Sequence, residues 1–194
     1  MEVQDYLTDR IEEDKIENSN REVQYLDGIT PEAIQSLAYS PDTSVDWKAV
    51  CKVKPKANQL YKFRNGDTTL CARFDENRER VVLVKNKVAY GIRPRNDEQK
   101  FALDACLNPA IQLVSMTGGA GTGKTLLALA AAIEQAKDFD QIILTRPTIV
   151  LGNQDIGFIP GDQKAKMSPF VQPLMDNLNV IKAQFRPSSK EALR

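Results

Sequence analysis

The chain has 194 residues, 42% hydrophobic and 27% charged, with 26 basic and 26 acidic side chains and no histidine. That length accommodates a full domain with a smaller companion, and no apolar run approaches a membrane span, so a soluble cytoplasmic protein with no membrane partner is expected. Without histidine, imidazole metal ligation and Ser-His or Cys-His nucleophiles are excluded, leaving Mg2+, carboxylates, lysine, arginine and backbone for any chemistry.

Zero net charge conceals segregation. Residues 1–51 hold 4 basic against 12 acidic side chains (net −8), and residues 1–56 read as an acidic helical or irregular linker segment. Its start, Met1-Glu2-Val3-Gln4-Asp5, has neither the basic nor the apolar region of a secretory leader. Residues 2–18 are helix-friendly but offer few apolar positions. Turn residues then accumulate at Asp27-Gly28, Pro31, Pro41 and Pro55 around one short helix over 31–38, with Thr30 as N-cap and Pro31 at N1. No compact core is expected before about residue 57.

Residues 57–93 read as a small antiparallel β module. Strands are expected at 60–64, 68–74, 80–84 and 87–92, linked by the turn chemistry of Asn65-Gly66-Asp67, Asp75-Glu76-Asn77 and Asn86. Residues 52–100 carry 13 basic against 6 acidic side chains (net +7). Lys52, Lys54, Lys56, Lys62, Arg64, Arg73, Lys85, Lys87, Arg93 and Arg95 form either a phosphate-backbone surface for nucleic acid or an ordinary solvated face. No stacked aromatic pattern of the RNA-binding type accompanies them, which favours a structural spacer. Cys51, Cys71 and Cys106 lack C-x-x-C spacing, which argues against a disulfide framework and a zinc site.

Residues 94–194 read as an incomplete P-loop domain, near neutral with 9 basic against 8 acidic side chains in 101–194 (net +1). Asn96 caps a helix over 97–107, residues 110–116 form a first strand, and a helix over 124–136 follows the loop. A second buried strand at 141–145 runs into Arg146-Pro147, at the carboxyl edge where open α/β sheets bind ligands. A long loop over 152–169 precedes a last helix, 169–183, with Phe170, Leu174, Leu178 and Ile181 at core spacing. The expected fold class is therefore α/β: a partial parallel sheet with helices on both faces, preceded by the β module and the acidic segment.

Gly118-Gly119-Ala120-Gly121-Thr122-Gly123-Lys124-Thr125 matches G-x-x-x-x-G-K-[ST], between an apolar run and a helix rich in alanine and leucine. Glycines permit positive φ, so consecutive amides can turn inward around a phosphate, and the helix N-terminus adds partial positive charge. Lys124 is the candidate catalytic residue, reaching the β and γ phosphates, and Thr125 the candidate Mg2+ ligand. ATP and Mg2+ are the implied cofactors.

Residues 93–178 resemble the PhoH family of P-loop ATPases through this motif and through Leu144-Thr145-Arg146-Pro147, Gly157-Phe158-Ile159-Pro160-Gly161-Asp162 and Lys166-Met167-Ser168-Pro169-Phe170. Residues 3–30 are similar to the segment after the nuclease domain of PIN-PhoH fusion proteins, so the resemblance implies a fragment spanning a linker and the front half of the ATPase. It also implies an ATP-dependent, helicase-like motor linked to RNA and assembled as a homo-oligomeric ring. By the same resemblance Gln99 stands where an adenine-reading glutamine is placed, with a solvent-facing helix residue as its alternative. Arg146 stands near phosphate or nucleic acid, or in a structural salt bridge.

The chain departs from that pattern after Lys124, where no apolar strand ends in Asp-Glu to hold Mg2+ and orient water. Asp138 and Asp140 precede their expected strand, and Asp155, Asp162 and Asp176 fall in a loop or helix. Nucleotide binding without assured turnover is the expectation. A small-molecule kinase would need an arginine-rich lid, which is not visible. A non-catalytic, nucleotide-responsive module that binds RNA or a partner stands as the alternative function.

Overall fold

A computed structural model of the chain describes residues 23–66, 68–145 and 163–185. The chain divides into two compact units, Met1–Val84 and Lys85–Arg194.

The first unit is built on a five-stranded sheet: β1 (Gln24–Asp27), β2 (Ser44–Asp46), β3 (Leu60–Asn65), β4 (Thr68–Asp75) and β5 (Arg80–Leu83), in the order β1-β3-β4-β5-β2. Local turn chemistry sets the central antiparallel ribbon. Asn65 pairs with Thr68 across Gly66, which has φ +56°, and Asp75 Oδ1 accepts from the amides of Asn77 (3.1 Å) and Arg78 (3.3 Å) before Arg80 returns opposite Asp75. β1 adds in parallel to β3, with Gln24 opposite Tyr61, and β2 adds antiparallel to β5, with Val45 opposite Val81. Side chains alternate across a strand, so Tyr61 and Phe63 of β3, Ala72 and Phe74 of β4, and Val81 and Val45 fall on one face. Helix α1 (Pro31–Tyr39) completes that core with Ala33 and Leu37. It begins as its sequence dictates, with Thr30 Oγ1 accepting from the Ala33 amide at 3.3 Å and Pro31 in the first turn.

Two expectations are corrected here. Residues before 57 supply two strands, a helix and the buried side chains of Ala33, Leu37 and Val45, because edge strands too short to signal themselves gain hydrogen bonds from β3 and β5. The fourth strand expected at 87–92 is a single bridge between Ala89 and Ile92, and it belongs to the second unit.

In the second unit, α2 (Asp97–Cys106), α3 (Lys124–Glu134) and α4 (Gln163–Ala183) pack around Ala89, Ile92, Leu103, Leu127, Leu129, Ala130, Ala131 and Ile181. Leu174 and Leu178 are half-buried against this cluster, as their spacing on α4 requires; the side chain of Phe170 and residues 1–22 lie outside the described residues. Polar contacts tie the helices together. Gln135 Nε2 donates to the Cys106 carbonyl at 3.0 Å, Glu134 accepts from the Tyr90 amide at 2.6 Å, and Lys87 meets the buried Asp104 at 2.8 Å.

The expected parallel strands at 110–116 and 141–145 are not strands in the structure. Leu113 is 88% exposed and Ile143 72% exposed. A strand completes its hydrogen bonds only against a neighbour, and no described residue pairs with either segment. Among the described residues, no helix is long and apolar enough to cross a membrane.

Candidate functional site

The glycine-rich segment lies on the surface of the second unit and leads into α3. Its last glycine, Gly123, occupies the helix N-cap in the left-handed region at φ +88°, ψ 8°, and brings no side chain to cap the first turn. Helices usually satisfy those first amides with a Ser, Thr, Asp or Asn oxygen. Here they are left to an external acceptor. Gly121 turns the chain at φ +76°, and a Cβ placed there or at Gly119 meets nothing within 4 Å, so the loop is open where a ligand approaches. Among the described residues, the amides of Gly119, Ala120, Gly121 and Gly123 donate to no protein acceptor.

Side chains define the interior of the loop. Lys124 Nζ donates to the carbonyls of Gly118 (2.8 Å) and Gly119 (2.7 Å) and to Thr122 Oγ1 (3.1 Å). Thr122 Oγ1 also donates to Gly119 O at 3.0 Å. The cation therefore sits at the centre of a ring of backbone. Thr125 is exposed on the first turn of α3, one residue beyond Lys124. Open amides, an uncapped helix N-terminus, an ammonium and a hydroxyl form a donor set that fits a polyphosphate with its Mg2+.

Gln99 joins this loop from α2. Asn96 Oδ1 accepts from the Gln99 amide at 2.8 Å and caps the helix as expected. The Gln99 side chain then reaches back: Oε1 accepts from the Arg95 amide at 2.8 Å, and Nε2 donates to the Thr122 carbonyl at 3.0 Å. A polar residue three positions after an N-cap Asn is the pattern of a capping box, and that signal was present in Asn96-Asp97-Glu98-Gln99. The bond to Thr122, 23 residues away, had no sequence signal.

The other sequence candidates separate. Lys62 and Arg73 are buried in the first unit, at 7% and 9% exposure, and Arg73 Nη1 donates to Asn58 Oδ1 at 3.2 Å, so these two do not contribute to an open basic face. Lys54 pairs with Glu79 at 2.5 Å, whereas Lys52, Lys56 and Arg64 are exposed. Asp138 ends a 3-10 turn after α3, and Asp176 accepts from Gln172 on α4 at 2.9 Å. Arg146, Asp155, Asp162 and Gly157-Phe158-Ile159-Pro160-Gly161-Asp162 lie outside the described residues.

A family model described as "PhoH-like protein" matches residues 91–189, which include the loop, Gln99 and all three helices of the second unit. "Protein PhoH2" of Bacillus subtilis is 41% identical over 107 residues, covering 54% of this chain and 24% of the relative. "Protein PhoH2" of Mycolicibacterium smegmatis is 38% identical over 104 residues (52% and 24%), and "Protein PhoH" of Escherichia coli is 42% identical over 89 residues (45% and 24%). The chain thus spans about a quarter of the length of the curated relatives it matches. No solved structure matches.

Proposed function

This chain belongs to the PhoH-like protein family, and from that premise we propose that residues 118–125 bind Mg·ATP as the nucleotide site of an RNA-linked, helicase-like motor. The supporting observation is the Lys124 ammonium set among the backbone groups of an open loop, at the uncapped start of α3.

In this reading, the amides of Gly119 through Gly123 surround the phosphates and the α3 N-terminus favours their negative charge. Lys124 exchanges its bonds to the Gly118 and Gly119 carbonyls for the β and γ phosphate oxygens, and Thr125 ligates the metal. When bound, Mg·ATP supplies the phosphoanhydride whose cleavage drives movement in such motors. The sequence after Lys124 provides no apolar strand ending in Asp-Glu, so this chain holds the nucleotide, and turnover requires a carboxylate from elsewhere. RNA and further copies of the chain are the proposed partners, with a cytoplasmic location.

The test is a titration of the chain with a fluorescent ATP analogue and Mg2+, followed by hydrolysis assays with and without single-stranded RNA. Saturable binding supports the site, and hydrolysis stimulated by RNA supports the motor. Binding with no RNA response favours a non-catalytic, nucleotide-responsive module, and no binding overturns the reading.

A further inference from the structure

We propose that Gln99 is a positioning residue that holds the phosphate loop in its binding shape, so that its contribution falls equally on every polyphosphate ligand and carries no preference for adenine. The inference rests on the phosphate-loop reading and assigns Gln99 a role different from the one its sequence position implies.

Both ends of the amide are engaged. Oε1 accepts from the Arg95 N–H at 2.8 Å, and Nε2 donates to the Thr122 carbonyl at 3.0 Å. A backbone N–H can only donate and a carbonyl can only accept, so the amide has one orientation; flipping it would set donor against donor and acceptor against acceptor. Reading adenine's edge in the bidentate manner needs the oxygen and nitrogen together on that edge. In this structure both atoms serve the backbone instead.

The two anchors lie on different parts of the unit. Arg95 immediately precedes α2, whose start is fixed by the Asn96 cap, and Thr122 stands in the loop two residues before α3. Thr122 is also the loop's internal hub: its hydroxyl donates to the Gly119 carbonyl and accepts from Lys124. Gln99 therefore transmits the position of α2 to the residue that organises the cradle. Gly123 makes the approach possible, since a Cβ there would stand 3.2 Å from Gln99 Nε2. A glutamine facing solvent would impose no such steric condition on the loop.

The probes are Mg2+ complexes of ATP, GTP and inorganic tripolyphosphate, each titrated calorimetrically into the full chain. Gln99→Met keeps length and removes both hydrogen bonds. It is expected to weaken all three ligands by a common factor of roughly 5- to 30-fold, with the ATP-to-GTP affinity ratio unchanged. Gln99→Glu keeps the acceptor for Arg95 but turns an oxygen toward the Thr122 carbonyl, so it should also lose tripolyphosphate binding. If Gln99→Met melts below the assay temperature, Gln99→Glu carries the same comparison. Unchanged tripolyphosphate affinity with a fallen ATP-to-GTP ratio would overturn the proposal in favour of adenine reading. Unchanged affinity for all three would overturn it by removing any role for Gln99. A wild-type chain that takes up none of the three ligands defeats the phosphate-loop reading itself, a result distinct from either.

Discussion

The Lys124 ammonium lies 2.7 Å from the carbonyl oxygen of Gly119, its neighbour five residues back in the same loop. With its bonds to Gly118 O and Thr122 Oγ1, this contact gathers the loop around one positive charge. Lys124→Ala removes that charge and the loop's internal donor together. Nucleotide affinity is expected to fall by roughly 100-fold or more, from the loss of at least one charge-assisted hydrogen bond and the loop order it maintains. Undiminished binding of a fluorescent ATP analogue to a folded Lys124→Ala chain would refute the assignment.

Gly123 and Gly121 provide an internal comparison. Both have positive φ, +88° and +76°, but only at Gly123 does an added Cβ meet a neighbour, Gln99 Nε2 at 3.2 Å. Gly121→Ala should cost about 1 to 2 kcal/mol from backbone strain. Gly123→Ala should cost more and weaken nucleotide binding further, because it also displaces Gln99. Thermal unfolding of the two variants checks the order, and equal losses would count against the contact.

Helix α2 depends on one side-chain cap. Asn96→Ala removes the acceptor of the Gln99 amide and should lower stability by about 1 kcal/mol, while Asn96→Asp, which keeps a side-chain oxygen, should come close to wild type. Chemical denaturation followed by far-ultraviolet circular dichroism distinguishes the two.

Alkaline pH should destabilise the first unit. Burial raises the Cys51 thiol above its ordinary 9.0, opposed in part by its hydrogen bond with Tyr61. The Tyr61 phenol is raised by burial and then by its contact with Cys51. Folding thus holds both protons more tightly than the unfolded chain does. The associated stability is fully present below the ordinary thiol range and is lost as pH climbs through the unfolded values toward the raised folded ones. Urea unfolding between about pH 8 and pH 11 should show a falling midpoint, and Cys51→Ala should flatten the slope. A slope unaffected by that substitution would argue against the pair.

Sequence alone determined whatever is decided within a few neighbouring residues. Thr30 with Pro31 and Asn96 mark helix starts, Asp75 folds its own turn, and the glycines before Lys124 build a loop, because caps and turns are satisfied by groups three or four positions away. Tertiary structure decided the rest. Gln24–Asp27 becomes a strand only because residues 60–65 lie beside it, whereas the apolar residues 111–116 and 141–145 find no such edge among the described residues. The same distinction holds at the site: its charge and hydroxyl were written in one contiguous motif, but the amide that anchors Thr122 comes from another helix. Hydrogen bonds between distant segments depend on how the chain packs, and no local pattern of residues encodes that.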